Sequence, residues 1–327
     1  MASMVDSAAV LGRYRNVCVV GAGVIGASWT ALFLAHGLNV VVVDPQAGIE
    51  AAVLAALHRI APTLRELGLP HEGLERNLRF EPDLERAVAG ADVVQENGPE
   101  RIEWKQQLWA RIEKAVPRHA LLLSSSSART ATEQASAMQD ASRLLVGHPF
   151  NPPHLVPLVE VVPGERTDPQ ATADAVAFYA ALGKVPCVLN KEIRGFVANR
   201  LQGVIFREAC YLVKEGVVTI EELDDIVTNS IGLRWAANGP FSSFYLGGGP
   251  TGLRGYFKQF GPGMKASWPV QSPIEYGDDV TQLIVDQGDR AWGGTPMAQL
   301  ERRRDDTQVA LLRARGALQA NSTGSEA

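Results

Sequence analysis

The sequence predicts an α/β protein: a mostly parallel sheet with crossover helices, followed by an all-helical segment. Two patterns carry this. Short β-branched runs alternate with longer helical stretches through the first half. From Gly195 the texture changes to helical patterns with no convincing strand. A glycine-rich turn after the first strand then suggests what the sheet holds.

Taken in order, strands are expected at 16–20, 39–43, 92–95, 120–124, 143–147, 158–162 and 186–189. Helices are expected between them at 25–36, 47–67, 101–115 and 169–182. The second half reads as helices over 196–216, 220–231, 276–292 and 296–318. The boundary is placed near Glu192, in the turn 191–195, giving domains 1–192 and 193–327. The last residues, GALQANSTGSEA, are small and polar, and the tail from 316 is expected to be disordered.

The 327 residues suit two domains at roughly 150 residues each. With 36 acidic and 31 basic residues the formal charge is −5, which argues against a nucleic-acid partner. A composition of 46% hydrophobic and 20% charged residues is that of an ordinary globular protein. Three cysteines are too few for a disulfide framework, and a reducing cytoplasm is the expected compartment. The N-terminus MASMVDSAAVLGRYRN lacks a basic head followed by an apolar run, so it does not read as a signal peptide. The apolar runs, such as 39–43, fall far short of the roughly 20 residues a membrane span needs. No membrane partner and no metal site are expected.

The segment VCVVGAGVIGASW carries Gly21-x-Gly23-x-x-Gly26 between a strand and a helix, with Val24 and Ile25 opening the helix. The first glycine allows a tight turn, the second lets the backbone approach a pyrophosphate, and the third allows close helix–strand packing. The helix N-terminus then offers unpaired N–H groups to the anion. The next strand ends in Asp44, 18 residues after Gly26, where a carboxylate binds ribose hydroxyls of NAD and repels the phosphate of NADP. The alternative for Asp44 is an ordinary turn residue before Pro45.

A second constellation lies in GHPFNPPHLVPLVEVVPG. His148 sits at a strand end, and twelve residues on Glu160 interrupts the apolar run 158–162. A carboxylate there needs a partner, and a histidine is the natural one. Such a pair orients the imidazole, fixes its tautomer and raises its basicity. That is equipment for removing a hydroxyl proton. His154 is read as a loop residue.

GAGVIGASW, HPFNPP with LVEVV, and GFVANRLQ together resemble the short-chain L-3-hydroxyacyl-CoA dehydrogenase superfamily, nearest the branch of L-carnitine dehydrogenase and L-gulonate 3-dehydrogenase. The resemblance implies a Rossmann-like NAD-binding domain, and a helical domain through which two chains form a homodimer. It puts His148 on the catalytic histidine, Glu160 on its orienting carboxylate and Asn199 on an asparagine that polarises the reacting oxygen. Counted back from His148, a substrate-contacting serine falls on Ser127 and a cofactor-contacting position on Ser125; a one-residue shift puts Ala128 in the serine's place. Glu100 and Lys105 keep the spacing of the family's cofactor-side helix, a solvated helix face being the other reading.

The substrate implied is a small L-3-hydroxy acid, carnitine- or gulonate-like. The region 45–80 is short and lacks lysines, where CoA-using relatives carry a lysine-rich arm. Arg234, in GLRWAANGPF, matches an arginine of the carnitine and gulonate branch, and its fork suits a free carboxylate. A surface or interface ion pair is its alternative. The aromatic residues after it, from Trp235 to Trp268, suit either a box for a quaternary ammonium or helical packing. Two further readings stay open: a dehydrogenase of CoA thioesters, and an NAD-binding structural or sensor protein without turnover.

Overall fold

A computed structural model describes residues 6–267, 279, 282–283, 286–287 and 294–314. Trp268, the helix expected over 276–292 apart from five isolated positions, and the tail from 316 lie outside these residues. The described residues fall into two compact units, one ending at Val197 and one beginning at Ala198.

The first unit is built on one eight-stranded sheet of order β3-β2-β1-β4-β5-β6-β7-β8. The strands are β1 (Asn16–Val20), β2 (Asn39–Val43), β3 (Leu78–Phe80), β4 (Val93–Glu96), β5 (Leu121–Ser124), β6 (Leu144–Pro149), β7 (Leu158–Pro163) and β8 (Val185–Val188). Strands β3 to β6 run parallel. β7 reverses and pairs antiparallel with β6, and β8 is parallel to β7. The reversal follows from chain length: a parallel crossover needs a dozen or so residues, and only residues 150–157 join β6 to β7. The strand order turns back between β1 and β4, the kind of switch point at which open α/β sheets bind ligands.

Helices cover both faces. On one, α2 (Val24–Ala35) and α7 (Pro169–Ala181) bury Trp29, Phe33, Phe178 and Tyr179. The Trp29 and Phe33 rings stack at 5.3 Å, and Trp29 meets Tyr179 at 5.6 Å. The long α3 (Ile49–Glu66) lies on the same side through Val53, Leu57 and Leu64. On the other face, α4 (Leu84–Val88) and α5 (Ile102–Ala115) bury Val88, Trp109 and Ile112 against Cys18, Val94 and Leu122. The short α6 (Ala131–Gln134) follows β5 behind a capping box of Thr130 and Glu133.

In the first unit, α6 and three further elements lie outside the expected strands and helices. β3 is a three-residue edge strand containing Arg79, too short to show alternation. α4 is five residues long and capped by Asp83. α1 (Ser7–Arg13) is capped by Asp6 and tied to α7 through Asp174, which accepts from Arg13 at 3.1 Å and from the Tyr14 hydroxyl at 2.8 Å.

The second unit's described elements are all helices: α8 (Ala198–Lys214), α9 (Ile220–Thr228), α10 (Ile231–Ala237), α11 (Pro240–Gly247), α12 (Gly252–Ser267) and Met297–Ala314. The single helix expected over 220–231 ends at Thr228, because Ser230 leaves helical geometry at φ −130° and ψ −96° before α10 starts. The helix expected from 196 starts two residues later, since Gly195 and Phe196 have φ of 75° and 49°. Among the described residues, no helix is long and apolar enough to cross a membrane. The fully buried Phe178 sits where α1, α2 and α7 meet. Phe178→Ala is therefore expected to lower the unfolding free energy by about 3–5 kcal/mol, read from urea denaturation.

Candidate active site

The glycine turn forms at the carboxyl end of β1. Gly21 has φ +83°, which excludes most side chains, and a Cβ on Gly26 would fall 2.0 Å from the Gly21 carbonyl oxygen. At Gly23 a Cβ would meet nothing within 4 Å, so the space before the N-terminus of α2 is open. Val24 is exposed on the first turn of α2, and Ile25 packs partly on the core. Asp44, at the end of β2, accepts from the Ala22 N–H at 2.8 Å and the Gln46 N–H at 2.9 Å. An ionised carboxylate has about four acceptor sites, so two bonds leave capacity for hydroxyls. Both readings of Asp44, turn brace and ribose acceptor, are compatible in one residue. A cleft of about 680 Å³ runs from Gly21 and Gly23 past Asp44 and Gln46 to Asn97 and Trp104. Its bare glycine backbone, helix N-terminus and carboxylate fit a dinucleotide.

Next to the turn, β4 ends in Glu96, which the sequence reading passed over. Glu96 is fully buried and accepts from Lys105 Nζ at 2.7 and 2.9 Å, from the Gly98 N–H at 2.6 Å and from the Ser124 hydroxyl at 2.6 Å. Lys105 is 1% exposed, so it is no solvated helix face. Glu100 turns to the serine tract, accepting from the Ser126 hydroxyl at 2.8 Å and from the Ser127 N–H and hydroxyl at 2.6 and 3.2 Å. Ser125 receives Trp29 Nε1 and Gln95 Nε2 and donates to Asn97 Oδ1 at 2.7 Å. The strand reads VVQE, so Glu96 follows a polar Gln95 and does not interrupt an apolar run as Glu160 does.

His148 and Glu160 are directly opposed across the antiparallel β6–β7 pair. His148 Nδ1 lies 2.8 Å from Glu160 Oε2, and both side chains are buried. The other carboxylate oxygen, Oε1, accepts the Val197 N–H at 3.0 Å. Phe150 and Phe196 stand against the imidazole at ring distances of 4.7 and 5.3 Å. With Nδ1–H donated to the carboxylate, Nε2 is the nitrogen left to exchange a proton. Phe196 is a bulky residue in left-handed backbone, an uncommon and costly conformation. That turn aims the ring at His148 while the next N–H reaches Glu160.

The loop after His148 is anchored from below. His154, expected as a plain loop residue, is buried, and its N–H and Nδ1 both meet the Ser28 hydroxyl, at 2.9 and 2.8 Å. Lys184 is buried too, donates to the Pro153 and Val156 carbonyls, and stands over the Trp29 ring at 5.6 Å. Burial pushes its ammonium down to about 7. The neutral amine has two N–H groups, matching the two carbonyls.

In the second unit, Asn199 lies in the first turn of α8. Arg234 is exposed on α10, without an ion pair among the described residues. Phe244 and Tyr256 stack at 4.7 Å and Tyr256 meets Phe260 at 4.9 Å, so these rings pack α11 on α12. Phe241 and Tyr245 stay exposed. Ser242 and Ser243 donate to the Gly239 and Asn238 carbonyls. The structure thus gathers Ser125, Ser127, Glu100 and Lys105 into one network and His148 with Glu160 into another, both in the first unit. Asn199 and Arg234 belong to the second.

A dinucleotide cleft and a buried His–Glu pair on one sheet define an NAD-dependent oxidoreductase. Residues 16–193 match the NAD binding domain of 3-hydroxyacyl-CoA dehydrogenase, and residues 195–275 match its C-terminal domain. The chain belongs to the 3-hydroxyacyl-CoA dehydrogenase family. It is similar to L-carnitine dehydrogenase of Streptomyces coelicolor, with 41% identity over 93% of this chain and 96% of the relative. L-carnitine dehydrogenase of Pseudomonas aeruginosa is also 41% identical, over 91% of this chain and 93% of the relative. Among solved structures, an NAD-dependent 5-formyl-3-hydroxy-2-methylpyridine 4-carboxylic acid 5-dehydrogenase matches with TM-score 0.79 and 28% identity, covering 93% of this chain and 99% of that one.

Two outcomes follow. The folded chain holds the Lys184 proton less tightly than the unfolded chain, whose value is the ordinary 10.5. Unfolding therefore takes up a proton between about pH 7 and 10.5, and stability falls as pH falls through that window. In Lys184→Met this slope is expected to vanish, so denaturant titrations at pH 7 and 9.5 should show the wild type gaining on the variant at the higher pH. Phe196→Gly keeps the left-handed turn but strips the wall from His148. It is expected to lower turnover by roughly tenfold or more, about 1.4 kcal/mol, with NADH affinity by fluorescence unchanged.

Proposed function

We propose that the chain oxidises the C3 hydroxyl of a small L-3-hydroxy acid of the carnitine or gulonate kind to the 3-keto acid, or runs the reverse reduction. The observation that carries this is the His148–Glu160 pair, buried at 2.8 Å at the carboxyl end of β6 in the same sheet as the glycine turn. Its similarity to two L-carnitine dehydrogenases over nine-tenths of both chains supports the substrate class.

Bound NAD supplies the hydride acceptor. Gly21, Gly23, Val24, Ile25 and Gly26 shape the turn that holds it, with Asp44 on the ribose. His148 Nε2 takes the hydroxyl proton, and Glu160 orients the ring and stabilises the imidazolium. Ser127 and Asn199 hydrogen-bond the substrate oxygen as it becomes a carbonyl. Glu100 fixes the Ser127 loop through three hydrogen bonds, and the Lys105–Glu96 pair fixes the end of β4 beside it. Ser125 completes the cofactor side. Arg234, exposed on α10, takes the carboxylate. Residues 1–192 form the cofactor domain and 193–327 the domain for substrate and dimerisation. The exposed Leu201, Val204 and Phe206 of α8 support a homodimer formed through that domain, because such apolar residues want cover. A cytoplasmic enzyme fits the three free cysteines.

The test is NADH formation by the purified chain with carnitine, gulonate, 3-hydroxybutyrate and 3-hydroxybutyryl-CoA. Turnover is expected on the free acids and to fall about 10²–10⁴-fold in His148→Ala, while Arg234→Ala loses the free acids selectively. Dominant activity on the CoA ester, or near-wild-type turnover in His148→Ala, would sink the proposal.

A further inference from the structure

A second cleft, of about 450 Å³, opens at the amino ends of β1 and β2, the opposite end of these strands from the glycine turn. Its floor is Val41, half-buried and in register with Cys18, which is fully buried beneath it. Its wall is the end of α4 and the following turn, through Ala87, Gly90 and Ala91. These residues are small, and a Cβ on Gly90 would meet nothing within 4 Å. Room has been left there.

The rim is cationic. Arg76, Arg79 and Arg86 all line the cleft, and none makes an ion pair with a carboxylate among the described residues. Arg79 is in register with Val41 in a parallel pair, so it leaves the sheet on the same face as the floor. Arg76 folds back over Gly73, 3.0 Å from where a Cβ would stand. Asn77 adds a carboxamide to the lining. Glu81 is the one carboxylate lining the cleft, and it is engaged by the Asp83 N–H at 3.0 Å. Three cations therefore face one anion, in a chain whose net charge is −5.

The geometry points to a binding site for an organic anion with a flat apolar body and a phosphate or carboxylate head. The body lies on Val41 against Gly90, and the head takes the guanidinium forks, which match such oxyanions bidentately. The volume lies within the range of small-molecule sites, roughly 300–1,000 Å³. The N-terminal end of α4 belongs to the dinucleotide cleft, which Asp83, Leu84 and Glu85 line. The two sites are separate.

Calorimetric titration of the full chain, saturated with NADH to fill the cofactor cleft, tests this with 1-naphthyl phosphate, 1-naphthoate and neutral 1-naphthol. Binding of at least one anion is expected, and the stronger arm identifies the head group. The double substitution Arg79→Gln, Arg86→Gln is expected to weaken it tenfold or more by removing charge. Gly90→Leu is expected to do the same by filling space, with NADH affinity unchanged in both. Equal binding of 1-naphthol, no binding of either anion, or unchanged affinity in both variants would overturn the site.

Discussion

A carboxylate inside an apolar strand must be paired or it destabilises the sheet that holds it. Glu160 sits in such a run, and most of what is distinctive about this chain answers to it. The eight-residue link after β6 forces β7 to run antiparallel. Antiparallel pairing puts Glu160 directly across from His148 rather than in slanted parallel register. The second carboxylate oxygen needs a donor as well in so apolar a place. The chain meets that need by bending through left-handed Gly195 and Phe196 so that the Val197 N–H arrives at Oε1. Removing either partner of a buried pair leaves an uncompensated charge, which is far worse than never having placed it.

The same logic recurs one strand over. Glu96 closes β4 and is neutralised by Lys105 from α5, with Ser124 and the Gly98 N–H taking up the remaining acceptor capacity. Two buried acid–base pairs thus stand at carboxyl ends of sheet strands, and each fixes a loop. Glu96 fixes the turn at Gly98, and Glu160 fixes the exit from β8 toward α8. Between them the serine tract is gripped by Glu100. The proposed chemistry requires such rigidity, because a base misplaced by an ångström loses much of its effect.

The strands at 16–20 and 39–43 were legible to the residue, since each is an unbroken apolar run bounded by polar ends. The glycine turn and Asp44 were legible from spacing. Glu160 and His148 were legible because a charge interrupting an apolar run asks for a partner. Glu96 gives no such signal, because it follows Gln95 at the end of its strand instead of interrupting an apolar run. For Lys105, placed on the cofactor side with a solvated helix face as the other reading, spacing leaves burial open, and the structure buries it. β3 and α4 were too short for periodicity to register, and α1 is stabilised by distant Asp174. His154 and Lys184 hold a loop through contacts 126 and 28–31 residues away in sequence.

The sequence by itself determined the alternating α/β architecture, the glycine turn with its acidic strand end, and the pairing of His148 with Glu160. Each is written in local spacing, period or a polar residue in an apolar run. Tertiary structure alone decided which charges are buried and what satisfies them: Glu96 by Lys105, the second oxygen of Glu160 by Val197, the loop carbonyls by Lys184. It also set the left-handed Phe196 and the cationic cleft under the sheet. The reason is physical. Spacing along a chain reports local geometry, whereas desolvation depends on every element that closes over a group.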